Sequence, residues 1–490
     1  MIQFENVSFS YRGNTYEGLQ NINLTIKDGE CILLCGRSGC GKTTFTRMIN
    51  GLVPHFFMGE SKGEVIVNGL KVAETEMYKI SEQVGSVFQN PRTQFFNTDT
   101  DSEIAFGIEN AALPIEELKT RVEEAKKDLN IEDLSGRSIF ELSGGEKQKI
   151  AFASVYAMKP NIFLLDEPSS NLDAGAIEEL KQTLLRMKKE NKTILVAEHR
   201  LYYLMDIVDR IFYFDNGQLL GIYTPQELCE LEQGKLEKMG LRAVDMSKVA
   251  PILKENSLKG NALTLKNISL RYKKESILED VSLTAKGGEI IGVFGANGAG
   301  KTTFSRGVCG LHKRMEGQIL LNNTTCNKKA LMKQSYLVMQ DVNYQLFSES
   351  VETECVLGIK NPNTDLVEQT LKELELFAFT KVHPNTLSGG QKQRLAVAVS
   401  MICRKEVLVF DEPTSGLDYD SMTRVANLIT RLSDMGKIIF ITTHDYEFAC
   451  KVCRRIISFE NGKLQDDKII TKENEMFLRE IFSVDKEVYK

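Results

Sequence analysis

The sequence predicts an α/β protein made of two successive domains of one fold, each with a mainly parallel sheet at its core. Three observations predict it. One set of motifs occurs twice along the chain, in the same order. In each copy a short apolar run passes into a glycine-rich loop and then into a helix-forming stretch. In each copy a second apolar run ends in Asp-Glu-Pro, as a buried central strand does at the carboxyl edge of a parallel sheet.

The duplication sets the domain plan. GRSGCGKTT at 36–44 returns as GANGAGKTT at 295–303, and LSGGEKQK at 142–149 returns as LSGGQKQR at 387–394. LLDEPSSNLD at 164–173 returns as VFDEPTSGLD at 409–418, and His199 returns as His444. From LSGG onward the copies are 245 positions apart (388 − 143, 412 − 167, 444 − 199), but 259 apart at the lysines (301 − 42). The first copy therefore holds extra residues between its glycine-rich loop and LSGG, and 55–62 is the expected place for some of them. The expected domains are 1–223 and 262–490, with a helical segment and linker at 224–261. Thr224-Pro225-Gln226-Glu227 has the cap, first-turn proline and capping-box glutamate of a helix start, and a charged helix to about Met239 should follow. At the other end, Met476, Phe477, Ile481 and Phe482 stand near helical spacing and predict a short packed C-terminal helix.

Composition narrows the function classes. A net charge of −6 argues against a general electrostatic grip on nucleic acid. The 10 cysteines show no metal-ligand pattern. Cys450 and Cys453 form a lone C-x-x-C with no second pair and read as helix residues rather than a zinc site. Cys31, Cys35 and Cys40 surround the first glycine-rich loop and are expected as reduced thiols, as in a cytoplasm. The opening MIQFENVSFSYRG has no basic start followed by an apolar stretch, so no signal peptide is expected. No apolar run approaches the roughly 18 residues of a membrane helix. Any work at a membrane is expected to go through partners.

Both glycine-rich loops match G-x-x-x-x-G-K-[ST] in the strand–loop–helix setting that the motif needs. In the first, Gly36, Arg37, Ser38, Gly39, Cys40 and Gly41 would turn backbone N–H groups toward phosphate oxygens, followed by Lys42, Thr43 and Thr44. In the second the same places are taken by Gly295, Ala296, Asn297, Gly298, Ala299, Gly300, Lys301, Thr302 and Thr303. The lysines would reach the β- and γ-phosphates of ATP. Thr43 and Thr302 would offer hydroxyls to Mg²⁺. Asp166 and Asp411, at the ends of the second apolar runs, are expected to bind the same metal, and Glu167 and Glu412 to polarise the attacking water. An acidic pair capping the next helix is the plainer reading of each triplet, and it loses weight beside two phosphate loops.

LSGG narrows the family. With LSGGxxxR/K in both copies, the chain resembles ATP-binding-cassette (ABC) proteins over essentially its full length. The resemblance implies two P-loop NTPase domains, each with an antiparallel β subdomain and a helical subdomain beside the parallel core, paired head to tail. It implies two composite ATP sites, with Ser388, Gly389 and Gly390 closing over the nucleotide of the first loop and Ser143, Gly144 and Gly145 over that of the second. It also implies that Tyr11 and Tyr272 stack on adenine, that Gln89 and Gln340 touch Mg²⁺ and take part in catalysis, and that His199 and His444 contact the γ-phosphate. Departures between the copies are small: Asn171 against Gly416, Lys149 against Arg394, Arg200 against Asp445. None removes a catalytic group, so two active ATPase sites are expected, with room for unequal rates.

The segment QNPRTQFFNTDTDSEIAFGIEN, echoed by DVNYQLF in the second copy, resembles energy-coupling factor (ECF) transporter ATPases, importers of vitamins and transition-metal ions. That resemblance implies a peripheral location on the cytoplasmic face of the membrane. Partners would be an integral-membrane coupling subunit and a substrate-binding membrane subunit, with no nucleic acid. A groove for the coupling subunit's helices is expected near Phe95, Phe96, Asp101 and Glu103 and near Leu346, Phe347, Glu352 and Glu354. Two alternatives stay open: a double-ABC ATPase acting on the ribosome, whose joining segment is longer and more charged in that group, and the fused ATPase of a sugar importer, where one half is typically degenerate.

Overall fold

The uninterrupted apolar runs form the middle of two mixed sheets. The computed structural model describes residues 1–12, 18–111, 113–170, 172–253, 258–273 and 275–482, and the chain divides into two compact units, Met1–Asp245 and Met246–Lys490. In the first unit the strand Cys31–Gly36 lies between Thr193–Ala197 and Arg210–Asp215, parallel to both. Ile162–Asp166 and Val84–Val87 continue the parallel order on one side, and Gln218–Tyr223 closes the other edge antiparallel. Every residue of Cys31–Gly36 and Thr193–Ala197 is buried, because both sheet faces are covered.

One face carries the helix Lys42–Ile49 and a four-stranded antiparallel sheet (Gly18–Ile26, Ile2–Tyr11, Gly59–Val67, Leu70–Lys71). The Phe4 and Phe45 rings stack there at 4.4 Å. The other face is covered by Gly144–Ala157 and Ala174–Lys189, through Phe152, Val155, Leu184 and Met187. Beside this core, Thr100–Asn110, Ile115–Asp128 and Gly144–Ala157 pack around Ile104, Val122 and Ile150 as a helical subdomain.

The second unit repeats the plan. Its six strands run in the order Ser335–Val338, Val407–Asp411, Ile438–Thr442, Ile290–Phe294, Arg455–Glu460, Lys463–Ile469, beside a second antiparallel four-stranded sheet. Each unit therefore has the parallel core, antiparallel β subdomain and helical subdomain expected of the fold class.

Two local expectations are corrected. Thr224 and Glu227 do form a capping box, but the helix they start ends at Cys229, and a second short helix, Gln233–Lys238, follows. The break at 230–232 lets Leu228, Leu231, Leu236 and Met239 all reach the core of the first unit. At the far end the helix Glu475–Ile481 packs Phe477, Leu478, Ile481 and Phe482 against the second core, but Met476 points outward, 50 % exposed.

The extra residues of the first copy lie partly between Gly51 and Gly63, where the chain turns at Leu52–His55 and enters a longer strand. Others lengthen Thr100–Asn110 to 11 residues, against 6 in Val351–Val356.

Candidate functional site

Three neighbouring parallel strands of the first unit end together, and each ends in a chemical group. Cys31–Gly36 runs into the phosphate loop, Thr193–Ala197 into Glu198 and His199, and Ile162–Asp166 into Glu167. The carboxyl ends of such strands are where ligands bind in open α/β sheets. In the loop, Gly36 admits no side chain, since a Cβ there would lie 2.1 Å from the Phe214 carbonyl oxygen. Gly41 holds φ +106° at the entrance of Lys42–Ile49, and no side chain caps that helix. Its first N–H groups are thus presented to the loop, a ready anion site. Lys42 folds back over the loop, its Nζ donating to the carbonyls of Gly36 and Arg37 at 2.9 and 3.0 Å.

Thr43 Oγ1 donates to Asp166 Oδ2 at 3.1 Å, so the hydroxyl and carboxylate expected to share a metal already meet. Gln89 Nε2 donates to Glu167 Oε2 at 2.7 Å, and His199 Nε2 stands 3.5 Å from Glu167 Oε1. Glu167 adopts φ +49°, a left-handed conformation unfavourable for glutamate, and its N–H donates to the Ala197 carbonyl at 2.8 Å. Burial, then the neighbouring Glu167 charge, pushes the Asp166 carboxyl up to about 6. Two adjacent carboxylates beside a hydroxyl and an amide oxygen are a hard oxygen donor set, which fits a divalent cation such as Mg²⁺.

The second unit has the same frame. Lys301 Nζ donates to the Gly295 and Ala296 carbonyls at 2.7 and 3.1 Å, and Thr302 Oγ1 to Asp411 Oδ2 at 3.2 Å. Burial raises the Asp411 carboxyl, and Thr442 donates to its other oxygen. Glu412 has φ +50°, and His444 Nε2 lies 3.6 Å from its Oε1. One contact differs. Glu412 Oε2 accepts the His444 backbone N–H at 3.1 Å, and among the described residues no bond from Gln340 corresponds to that of Gln89.

The chain is identified by this doubled geometry together with its sequence relatives. The family described as "ABC transporter" matches residues 19–170 and again 278–415. The chain belongs to the ABC transporter family. It is therefore an ATP-binding ATPase, with two tandem ATP-binding domains. A protein of Treponema denticola, provisionally named an ABC transporter ATP-binding protein, is 48 % identical over 97 % of this chain and 99 % of its own length. One from Methanosarcina mazei with the same name is 33 % identical over 95 % of this chain and 88 % of its own. Among solved structures, one titled RNase-L inhibitor aligns with a TM-score of 0.66 over 97 % of this chain and 93 % of that one. A model of ribosome-bound archaeal Pelota and ABCE1 aligns with 0.70 over 97 % and 80 %. At 22 % and 21 % identity these two show the shared fold.

The remaining ABC elements fall as follows. Ser143 and Ser388 each begin a helix through a capping box, Ser143 with Glu146 and Ser388 with Gln391. Gly144, Gly145, Gly389 and Gly390 make the open first turns. Lys149 pairs with Glu179, whereas Arg394 donates to Ser421 Oγ at 2.7 Å. Tyr11 is tied down: its hydroxyl is 3.2 Å from Thr44 Oγ1 and accepts from Arg47 at 3.1 Å, with Phe57 against its ring edge. Tyr272 is 65 % exposed. Asn171 lies outside the described residues. None of the ten cysteines is in a disulfide, and burial pushes the Cys31, Cys450 and Cys453 thiols up to about 12.

The expected groove acids need correction. Glu103 and Glu354 are buried and serve their own loops, Glu103 accepting the N–H groups of Phe96 and Asn97 at 3.0 and 2.8 Å, Glu354 those of Phe347 and Ser348 at 2.9 and 2.7 Å. Asp101 is bonded to Lys126 and Ser135, and Glu352 pairs with Lys381. Leu346 is core, and Phe95 packs against the helical subdomain. Besides polar residues such as Arg92 and Glu349, the loops expose two large apolar rings, Phe96 at 74 % and Phe347 at 67 %. Sequence reading also missed Glu198 and Tyr203, which a position-by-position comparison of the copies could have flagged.

Proposed function

We propose that the chain is the ATP-hydrolysing, energy-coupling subunit of a membrane importer of the ECF type, held peripherally on the cytoplasmic face of the membrane. The observation that carries the ATPase half is the meeting of Lys42, Thr43, Asp166, Glu167, Gln89 and His199 at the ends of adjacent strands, repeated around Lys301. Lys42 and Lys301 exchange their loop carbonyls for phosphate oxygens when ATP enters. Glu167 and Glu412 orient water for in-line attack on the γ-phosphate, each braced by its histidine. Thr43, Asp166 and Gln89, and Thr302, Asp411 and Gln340, are the residues that would hold Mg²⁺, which neutralises phosphate charge. Ser143 and Ser388, at helix starts, are the groups that would close over the nucleotide of the other unit. Tyr11 and Tyr272 would line the adenine.

The transporter reading is supported by the relatives' names and by the exposed Phe96 and Phe347, apolar knobs suited to a helix of a membrane subunit. No helix among the described residues is long and apolar enough to cross a membrane; on this reading membrane-spanning subunits are partners. The test is Glu167→Gln with Glu412→Gln. The double variant should retain ATP and hydrolyse it at least about a hundredfold more slowly. Hydrolysis at the parental rate would overturn the assignment.

A further inference from the structure

The two units differ beside the histidine. The first reads Glu198-His199-Arg200 with Tyr203. The second reads Thr443-His444-Asp445 with Phe448 at the same spacing. Glu198 is 2 % exposed, and its carboxylate takes five donors. Its Oε2 accepts the N–H and hydroxyl of Ser169 at 3.2 and 2.7 Å and the Tyr203 hydroxyl at 3.1 Å. Its Oε1 accepts the N–H groups of His199 and Arg200 at 2.7 and 3.2 Å. Arg200 is buried too, and its Nη1 reaches the Ser169 and Leu172 carbonyls at 3.4 and 3.3 Å. Ser169, in the turn just after Glu167, is thus gripped from both sides.

In the second unit the carboxylate stands on the other side of the histidine. Asp445 Oδ2 accepts the Thr414 hydroxyl at 3.0 Å, and its Oδ1 caps the helix Tyr446–Val452 through the Phe448 N–H at 3.1 Å. Phe448, in the place of Tyr203, has no hydroxyl to give. The difference reaches the reacting carboxylate. In the second unit the histidine N–H goes to Glu412. In the first it goes to Glu198, and Glu167 Oε2 receives the Gln89 amide instead.

We infer that Glu198, Arg200 and Tyr203 form a clamp that sets His199 and the turn after Glu167, and that by taking the His199 N–H it leaves Glu167 to Gln89. The three are positioning residues and do not touch ATP. The inference rests on the proposed roles of Glu167 and His199. It makes the first site the one whose water-orienting carboxylate is linked to the Gln89 loop. Glu198 and Arg200 are buried charges built around one another's partner, so changing one alone leaves donors or acceptors unfilled.

The test transplants the second unit's set into the first. In the full chain carrying Glu412→Gln, so that only the first site turns over, Glu198→Thr and Arg200→Asp singly should each lower the ATPase kcat about fivefold. Glu198→Thr, Arg200→Asp and Tyr203→Phe together should return it to within about twofold, since coupled neighbours are non-additive. If a single variant fails to fold, Tyr203→Phe takes its place: about a twofold loss alone, and none on top of the other two changes. A triple variant at or below the worse single, or singles at the parental kcat, overturns the clamp. Adding Glu167→Gln to the Glu412→Gln chain separates the two claims. Full hydrolysis in that variant overturns the site assignment and the clamp with it, whereas lost hydrolysis with additive changes overturns the clamp alone.

Discussion

Replacing Asp166 with asparagine should stabilise the nucleotide-free protein while removing hydrolysis at the first site. Burial and the adjacent Glu167 push the Asp166 carboxyl from 3.8 to about 6. A hundredfold tighter hold on the proton corresponds to ~3 kcal/mol, at about 1.36 kcal/mol for each factor of ten. The residue keeps some solvent contact, which places the effect at about 2–3 kcal/mol. The folded-state value lies above the unfolded one, so the folded chain holds the proton more tightly. The destabilisation is therefore full above about pH 6 and fades as pH falls toward 3.8. Asparagine carries no charge and keeps an oxygen for the Thr43 hydroxyl. For a unit of this size the gain is a rise of roughly 5–10 °C in melting temperature at pH 8, shrinking at pH 5. The assay is thermal unfolding of the full chain in chelator, with and without the substitution, at both pH values. A variant that melts at or below the parent at pH 8, or a gap that does not narrow at pH 5, refutes the reasoning.

Lys42→Ala and Lys301→Ala should each halve the ATP stoichiometry measured by equilibrium titration, and the double variant should bind none. Phe96→Glu with Phe347→Glu should leave the ATPase rate of the purified chain unchanged and abolish co-purification with integral-membrane proteins, because both rings are exposed and carry little of the core. Ser143→Ala removes one side of its capping box, and should cost about 1 kcal/mol in denaturant unfolding.

Much of this was legible in the sequence because the chemistry is written in short motifs. A glycine-rich loop after an apolar run fixes a strand, a turn and a helix start, and Lys42, Thr43, Asp166 and Glu167 fall into place with them. Their second copies in the same order made the duplicated fold readable. What stayed hidden depends on side chains meeting across the fold. Glu103 looked like a groove acid and is instead the anchor of its own loop, since only the folded turn brings the Phe96 and Asn97 N–H groups to it. The Glu198 cluster joins residues from two strand ends, Ser169 and Tyr203, that no local pattern connects. The break at 230–232 follows from core packing by Leu228, Leu231 and Leu236, which local helical periodicity does not show.

The way the joining segment is built bears on how the fusion could be taken apart. Leu228, Leu236, Met239, Leu241 and Val244 belong to the interior of the amino-terminal half. Arg37 of the phosphate loop donates to the Lys238 carbonyl and pairs with Asp215. An amino-terminal polypeptide stopped at the end of its last strand, Tyr223, would lose both a wall of its interior and a brace on its nucleotide loop. A scissile site meant to yield two working halves belongs after Asp245, where the chain passes from one interior to the other.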